Sequence, residues 1–156
     1  MLLRTHLVFA VFVYFTLNFI LEIPNKVLFL VFVLLGAFFV DIDSKKSKLG
    51  RIVFFRPFQL FFKHRGPIHG LFFAILFSLI LALFDRWSGF GFFVGYVSHL
   101  ILDLLTPAGV RLFWPIFMGK FSFRIRSGGV FETILFVLFL LFDVFVVGWM
   151  FFHYLF

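Results

Sequence analysis

The chain has 156 residues, of which 63% are hydrophobic and 24% aromatic, with 32 Phe, a mean hydropathy of +1.16 and a formal net charge of +7. A soluble domain is nearer half apolar, and no soluble fold of this size hides so many phenylalanines, so the composition indicates one integral membrane domain over residues 1–156. The absence of Cys excludes disulfides, thiolate metal sites and a cysteine nucleophile. The basic residues lie in loops between apolar runs, which points to positive-inside topology and anionic lipid rather than to nucleic acid.

The first apolar run is Leu7 to Leu21. No small-residue cleavage site follows it, so it reads as a retained first span. The second, Val27 to Val40, follows Pro24 and runs directly into Asp41-Ile42-Asp43. The loop from Asp41 to Pro67 contains Arg51 to Lys63, RIVFFRPFQLFFK, an aromatic stretch with basic residues at intervals. Such a piece lies at the membrane interface or re-enters it, here interrupted at Pro57. The third run is Ile68 to Phe84 and the fourth Phe90 to Leu105. In the following loop, Thr106 to Gly129, Trp114 is placed as an interface anchor, and Lys120 to Arg126 alternates polar and apolar residues as an extended segment does. The fifth run is Val130 to Phe156. All of them lack the strict alternation of a membrane β-barrel. The expected fold is therefore an all-α integral membrane protein, a bundle of about five transmembrane helices with interfacial loop segments on the cytoplasmic face. Most runs fall short of the ~20 residues that span a bilayer comfortably, which implies local thinning or polar helix ends sunk within the bundle.

Five spans place the N-terminus and the two long loops on one face. Of the 14 Lys and Arg, all but Lys26 and Arg86 fall there. The positive-inside rule makes that face cytoplasmic, in a multi-pass protein of the inner or plasma membrane.

The same face collects most of the ionisable groups suited to chemistry. His99 and Asp103 are four residues apart in the fourth run, so they share a helix face with Cβ atoms roughly 6 Å apart and can offer one cation an imidazole and a carboxylate. The bland alternative is that Asp103 merely pairs with a nearby Arg at the helix end. His64-Arg65-Gly66-Pro67-Ile68-His69 places two histidines around a tight turn, with Pro67 suited to the first turn of the third helix and His69 inside it. Arg65 between them is a candidate clamp for phosphate or carboxylate, against the alternative of two interface histidines beside a polybasic loop. Asp41 and Asp43 end the second helix, where negative charge is mildly unfavourable unless a cation is near. His6 opens the first span. Glu132 opens the fifth, where it favours the helix N-terminus electrostatically, so capping is its stronger reading and support of the site the weaker. Asp143 lies eleven residues further, ~16 Å deeper, and must be protonated, paired or inward-facing. His153 falls on the opposite face and reads as structural. Each assignment has a bland alternative, but independent accidents would not deliver His6, Asp41, Asp43, His64, His69, His99 and Asp103 to one depth. Histidine with carboxylate is a metal-ligand composition.

These residues also carry a resemblance. Thr5-His6, Asp41-Ile42-Asp43 with Ser47, HRGPIHG from His64 to Gly70, GYVSHLILDLLTPAGV from Gly95 to Val110, Trp114-Pro115 and the stretch from Ser127-Gly128 to Glu132 occur in the order and spacing of the YdjM-like family. Its members are inner-membrane proteins described as LexA-binding, metal-dependent hydrolases, and the resemblance covers most of the chain. Gly70 departs from the Ser that commonly follows the second His of its motif, and Val40 from the Pro that usually precedes the Asp pair. Neither removes a proposed ligand. A more distant similarity, confined to the His99-to-Asp103 helix, is to zinc-dependent phospholipase C and P1-type nucleases, and it favours phosphoester chemistry.

The expected function is a membrane-embedded hydrolase with one or two divalent metal ions, Zn²⁺ above all, held by His6, Asp41, Asp43, His64, His69, His99 and Asp103. Asp41 or Asp43 is the expected general base. Arg65, with Lys63 and Arg111, is expected to hold the anionic group of a phospholipid or other phosphoester at the cytoplasmic interface. A transporter or metal carrier is the first alternative, disfavoured because only Asp143 lies near the midplane and no internal repeat is visible. The second is a non-enzymatic membrane anchor that binds a regulatory protein through loop residues such as Lys45, Lys46 and Lys48. Oligomeric state is not legible in the sequence.

Overall fold

A computed structural model describes residues 1–43 and 67–155. The described residues form five α-helices: α1 (Leu3–Ile20), α2 (Lys26–Phe39), α3 (Leu71–Ala82), α4 (Arg86–Leu104) and α5 (Val130–Leu155). Two short 3-10 turns, Val40–Asp43 and Pro67–His69, extend the C-terminus of α2 and precede α3. Among the described residues there is no strand, only an isolated bridge between Val110 and Phe121.

Helix starts follow local chemistry where the sequence supplies it. Asn25 caps α2 by accepting from Leu28 N at 3.0 Å. Asp85 caps α4 by accepting from both the amide and the hydroxyl of Ser88 at 2.6 Å. The expected third helix from Ile68 begins instead at Leu71. Pro67, Ile68 and His69 form the 3-10 turn before it, and the Leu71 amide donates to Leu112 O at 2.8 Å.

Successive helices alternate in direction. The ring pairs Phe9–Phe139, Phe12–Phe142 and Phe19–Trp149 rise together along α1 and α5, so these two run parallel. α4 is the central helix, packed against α1, α2 and α3, with eleven of its 19 residues buried. α5 lies at the periphery, where Val130, Phe131, Val144 and Phe145 are all exposed. Among the described residues, only α1, at 18 residues, and residues Val130–His153 of α5 are long and apolar enough to cross a membrane. At 1.5 Å per residue, α2 (14 residues) and α3 (12 residues) reach only about 21 and 18 Å against a hydrocarbon thickness of ~30 Å.

Residues 120–126 form neither helix nor strand beyond the bridge at Phe121, and alternate residues bond outward. Phe123 N donates to Leu104 O at 2.9 Å and Ile125 N to Leu105 O at 3.0 Å, so this stretch satisfies carbonyls at the end of α4 that a helix leaves open. Trp114 is half-buried and stacks on Phe73 with centroids 6.0 Å apart. The aromatic segment Arg51–Lys63 lies outside the described residues.

Candidate metal centre

The centre is built on one ridge of α4. Gly91, Gly95, His99 and Asp103 recur every fourth residue, so they stack along one face. The two glycines let α2 come close. A Cβ on Gly95 would lie 1.8 Å from Val33 O, and one on Gly36 of α2 would lie 2.1 Å from Phe92 O. Small residues at this crossing bring the two backbones together as in membrane helix pairs. One turn further, the approach puts Ala37 O 2.7 Å from His99 Nδ1. A carbonyl only accepts, so Nδ1 carries the proton, and in neutral His99 the Nε2 lone pair is left for a cation.

That Nε2 lies 3.8 Å from Asp41 Oδ1 and 3.8 Å from Asp103 Oδ2. His6, from the first turn of α1, stacks on His99 with centroids 3.8 Å apart and an interplanar angle of 13°, and its Nε2 is 3.4 Å from Asp103 Oδ1. His69 meets His99 edge-on, and its Nε2 is 3.7 Å from Asp103 Oδ2. Tyr96, one turn before His99, donates its hydroxyl proton to Ile68 O and so ties the turn carrying His69 to α4. His6, His69, His99 and Asp103 are buried, and Asp41 is partly open at 24% side-chain exposure. The amino group of Met1 adds a positive contact to Asp103 Oδ1 at 2.8 Å.

The separations of 3.4, 3.7 and 3.8 Å are longer than direct hydrogen bonds, and the shortest of them matches the spacing of metal ligands. N–H···O bonds cluster near 2.9–3.0 Å, whereas a tetrahedral ion with bonds of ~2.0–2.1 Å holds its ligand atoms about 3.3–3.4 Å apart. Two overlapping groups, His6–His99–Asp103 and Asp41–His69–His99, each offer ligand atoms within 4.8 Å of one another. Three imidazoles and two carboxylates without a thiolate suit a borderline ion such as Zn²⁺. The Nδ1 bond of His99 is the outer-shell contact that such ligands carry.

Of the residues singled out in the sequence, the structure thus brings together His6, Asp41, His69, His99 and Asp103. Asp43 ends the turn begun by Val40, but its side chain lies outside the described residues, as do Lys63, His64 and Arg65. Arg111 is exposed in the loop after α4. Glu132 is committed elsewhere: Oε1 accepts from Leu2 N at 2.6 Å and Thr5 Oγ1 at 2.8 Å, and Oε2 from Gly128 N at 2.6 Å. It joins the N-terminal ends of α1 and α5. Asp143 is buried on α5 away from these ligand groups, and its Oδ1 has no hydrogen-bond partner among the described residues. His153 is exposed at the far end and packs on Trp149 at 4.4 Å. Gly36 and Ala37 stand outside the motifs of the sequence, and Gly95 and Tyr96 lie within one without a role assigned to either. The available signal was the four-residue spacing that continues from Gly91 and Gly95 into His99 and Asp103.

Two membrane-length apolar helices and a buried histidine–aspartate cluster beside their N-terminal ends define a membrane-associated helical protein with a candidate metal centre. The family model described as YdjM inner membrane protein matches residues 1–155, and the chain belongs to that family. Inner membrane protein YdjM of Escherichia coli (strain K12) is 40% identical over 84 residues, covering 48% of this chain and 43% of that protein. The YdjM protein of Shigella flexneri matches to the same extent. Uncharacterized protein YvsG of Bacillus subtilis (strain 168) is 33% identical over 84 residues, 51% of this chain and 52% of its own length. The matches therefore span about half, or less, of these relatives. No solved structure matches the chain.

Proposed function

We propose that this chain is a metal-dependent hydrolase embedded in the membrane as a five-helix bundle, with its N-terminus and its site at the cytoplasmic face. The reading further assigns it one or two Zn²⁺ ions and a phosphoester or phospholipid substrate. The observation that carries it is the His99 Nδ1 bond to Ala37 O, which aims Nε2 between Asp41 and Asp103 with His6 and His69 alongside. Buried ionisable groups near hydrocarbon are costly, and a cation shared by these two overlapping groups would add to the positive charge that the Met1 amino group brings to Asp103.

His6, His99 and Asp103 would hold the ion, with His69 in the second group that overlaps it at His99. When bound, it would polarise the scissile group and lower the pKa of its water toward neutrality. Asp41 is the most open carboxylate of the cluster, so it is the one that can take a proton from an entering water and release it to solvent. Arg65, just ahead of the turn that carries His69, is the anion clamp of this reading, with Lys63 and Arg111 as further contacts. A carrier would instead place its ligands near the middle of the bundle, whereas these lie in the first turn of α1, the last two turns of α4 and the two 3-10 turns.

Elemental analysis of the purified protein beside His99→Ala, with a panel of phosphoesters and phospholipids, tests both halves. The wild type should carry metal that His99→Ala loses while keeping its helix content. Equal metal in both would remove the site assignment. Metal-loaded protein that hydrolyses nothing in the panel would remove the hydrolase assignment.

A further inference from the structure

The stretch Phe121–Arg126 and the first turn of α5 enclose a second feature. Gly128, at φ +76°, turns the chain between them. In the angle lies a cavity of about 630 Å³, walled by Phe123, Ile125, Val130 and Phe131 and carrying Arg124 and Arg126. That volume is within the ~300–1,000 Å³ of ordinary ligand sites. Among the described residues neither arginine has a carboxylate within ion-pair distance. Val130 is 77% and Phe131 67% exposed, and both begin a helix long and apolar enough to enter a bilayer.

We propose that this groove binds one anionic phospholipid, its phosphate on Arg124 and Arg126 and its acyl chain along Phe123, Val130 and Phe131. Charge complementarity selects an anion. The apolar wall, at the point where a membrane-length helix starts, selects one that carries a hydrocarbon tail. The positive end of α5 adds to the attraction. A soluble phosphate would gain nothing from that wall. The site goes beyond the hydrolase reading and stands apart from it, although Leu105 in its wall follows Asp103 by two residues.

The full chain in a neutral detergent, titrated with short-chain phosphatidylglycerol and followed by native mass spectrometry, tests this. Each arginine near an anionic lipid contributes about fivefold, so Arg124→Gln/Arg126→Gln should weaken binding on the order of 30-fold. The double variant should keep the wild-type metal content, and Arg124→Lys/Arg126→Lys should keep most of the affinity. His99→Ala, which tests the metal reading, should bind the lipid as the wild type does. Equal affinity for phosphatidylcholine of the same chain length would overturn the proposal, as would unchanged binding by the glutamine variant. Glycerol 1-phosphate binding as tightly as the lipid would overturn it too, by showing a site for free phosphate. Loss of lipid binding in His99→Ala would overturn the independence of the two sites.

Discussion

Replacing Gly95 with Ala tests whether helix packing positions the cluster. The added methyl would meet Val33 O at 1.8 Å and Ala37 N at 2.9 Å, and both are backbone atoms that no side-chain rotation can move aside. Ordinary contact begins near 3.4 Å, so α2 and α4 must part by about 1.6 Å at this level. Carried one turn along, that displacement stretches the 2.7 Å contact of His99 Nδ1 with Ala37 O to about 4.3 Å, beyond hydrogen-bond reach. Losing the bond that orients a ligand weakens metal binding about 10–100-fold. The overpacking itself lowers stability by about 1–3 kcal/mol. Affinity would be read by competition with a chromophoric chelator, on protein whose helix content is checked by circular dichroism. Gly148→Ala is the control, because a Cβ there meets nothing within 4 Å. Wild-type metal affinity in folded Gly95→Ala protein would refute the link between the glycine crossing and the site.

Three further outcomes follow from the same contacts. Glu132→Ala leaves Leu2 N, Thr5 Oγ1 and Gly128 N without their acceptor, so thermal unfolding in detergent should show a loss of about 2 kcal/mol or more, partly restored in Glu132→Gln; an unchanged midpoint would exclude the joint between α1 and α5. Tyr96→Phe removes the buried hydroxyl that donates to Ile68 O. It should lower stability by about 1 kcal/mol and weaken metal binding several-fold by loosening the turn that carries His69, and chelator competition would expose the error if affinity held. Hydrogen bonds from the Ser88 side chain and amide hold the Asp85 carboxyl below the usual carboxylate range. Its contribution is present in full above the unfolded value of about 3.9 and is lost as pH falls through the lower folded value. The difference in melting temperature between wild type and Asp85→Asn should therefore be constant from about pH 7 to 5 and shrink below about pH 4; a difference that stays constant to lower pH would show that the cap does not titrate there.

Much of this arrangement is written in consecutive residues. Apolar runs placed five helices, and alternating direction put His6, Asp41, His69, His99 and Asp103 at one end. A four-residue step put His99 and Asp103 on one face. These signals are local because hydropathy and helical periodicity depend only on near neighbours. The tertiary structure decided what neighbours cannot. Which helices touch depends on Gly36 and Gly95, 59 positions apart, fitting against each other's backbones. Glu132 is bound to Leu2 and Thr5 because two helix starts meet, so its hydrogen bonds join α1 to α5. The tautomer of His99 follows from a carbonyl 62 residues away. The run from Ile68 starts with a 3-10 turn rather than with helix, and that turn carries His69, whose Nε2 lies 3.7 Å from Asp103 Oδ2. Local preference chose the elements, and long-range steric fit and hydrogen bonding chose their partners.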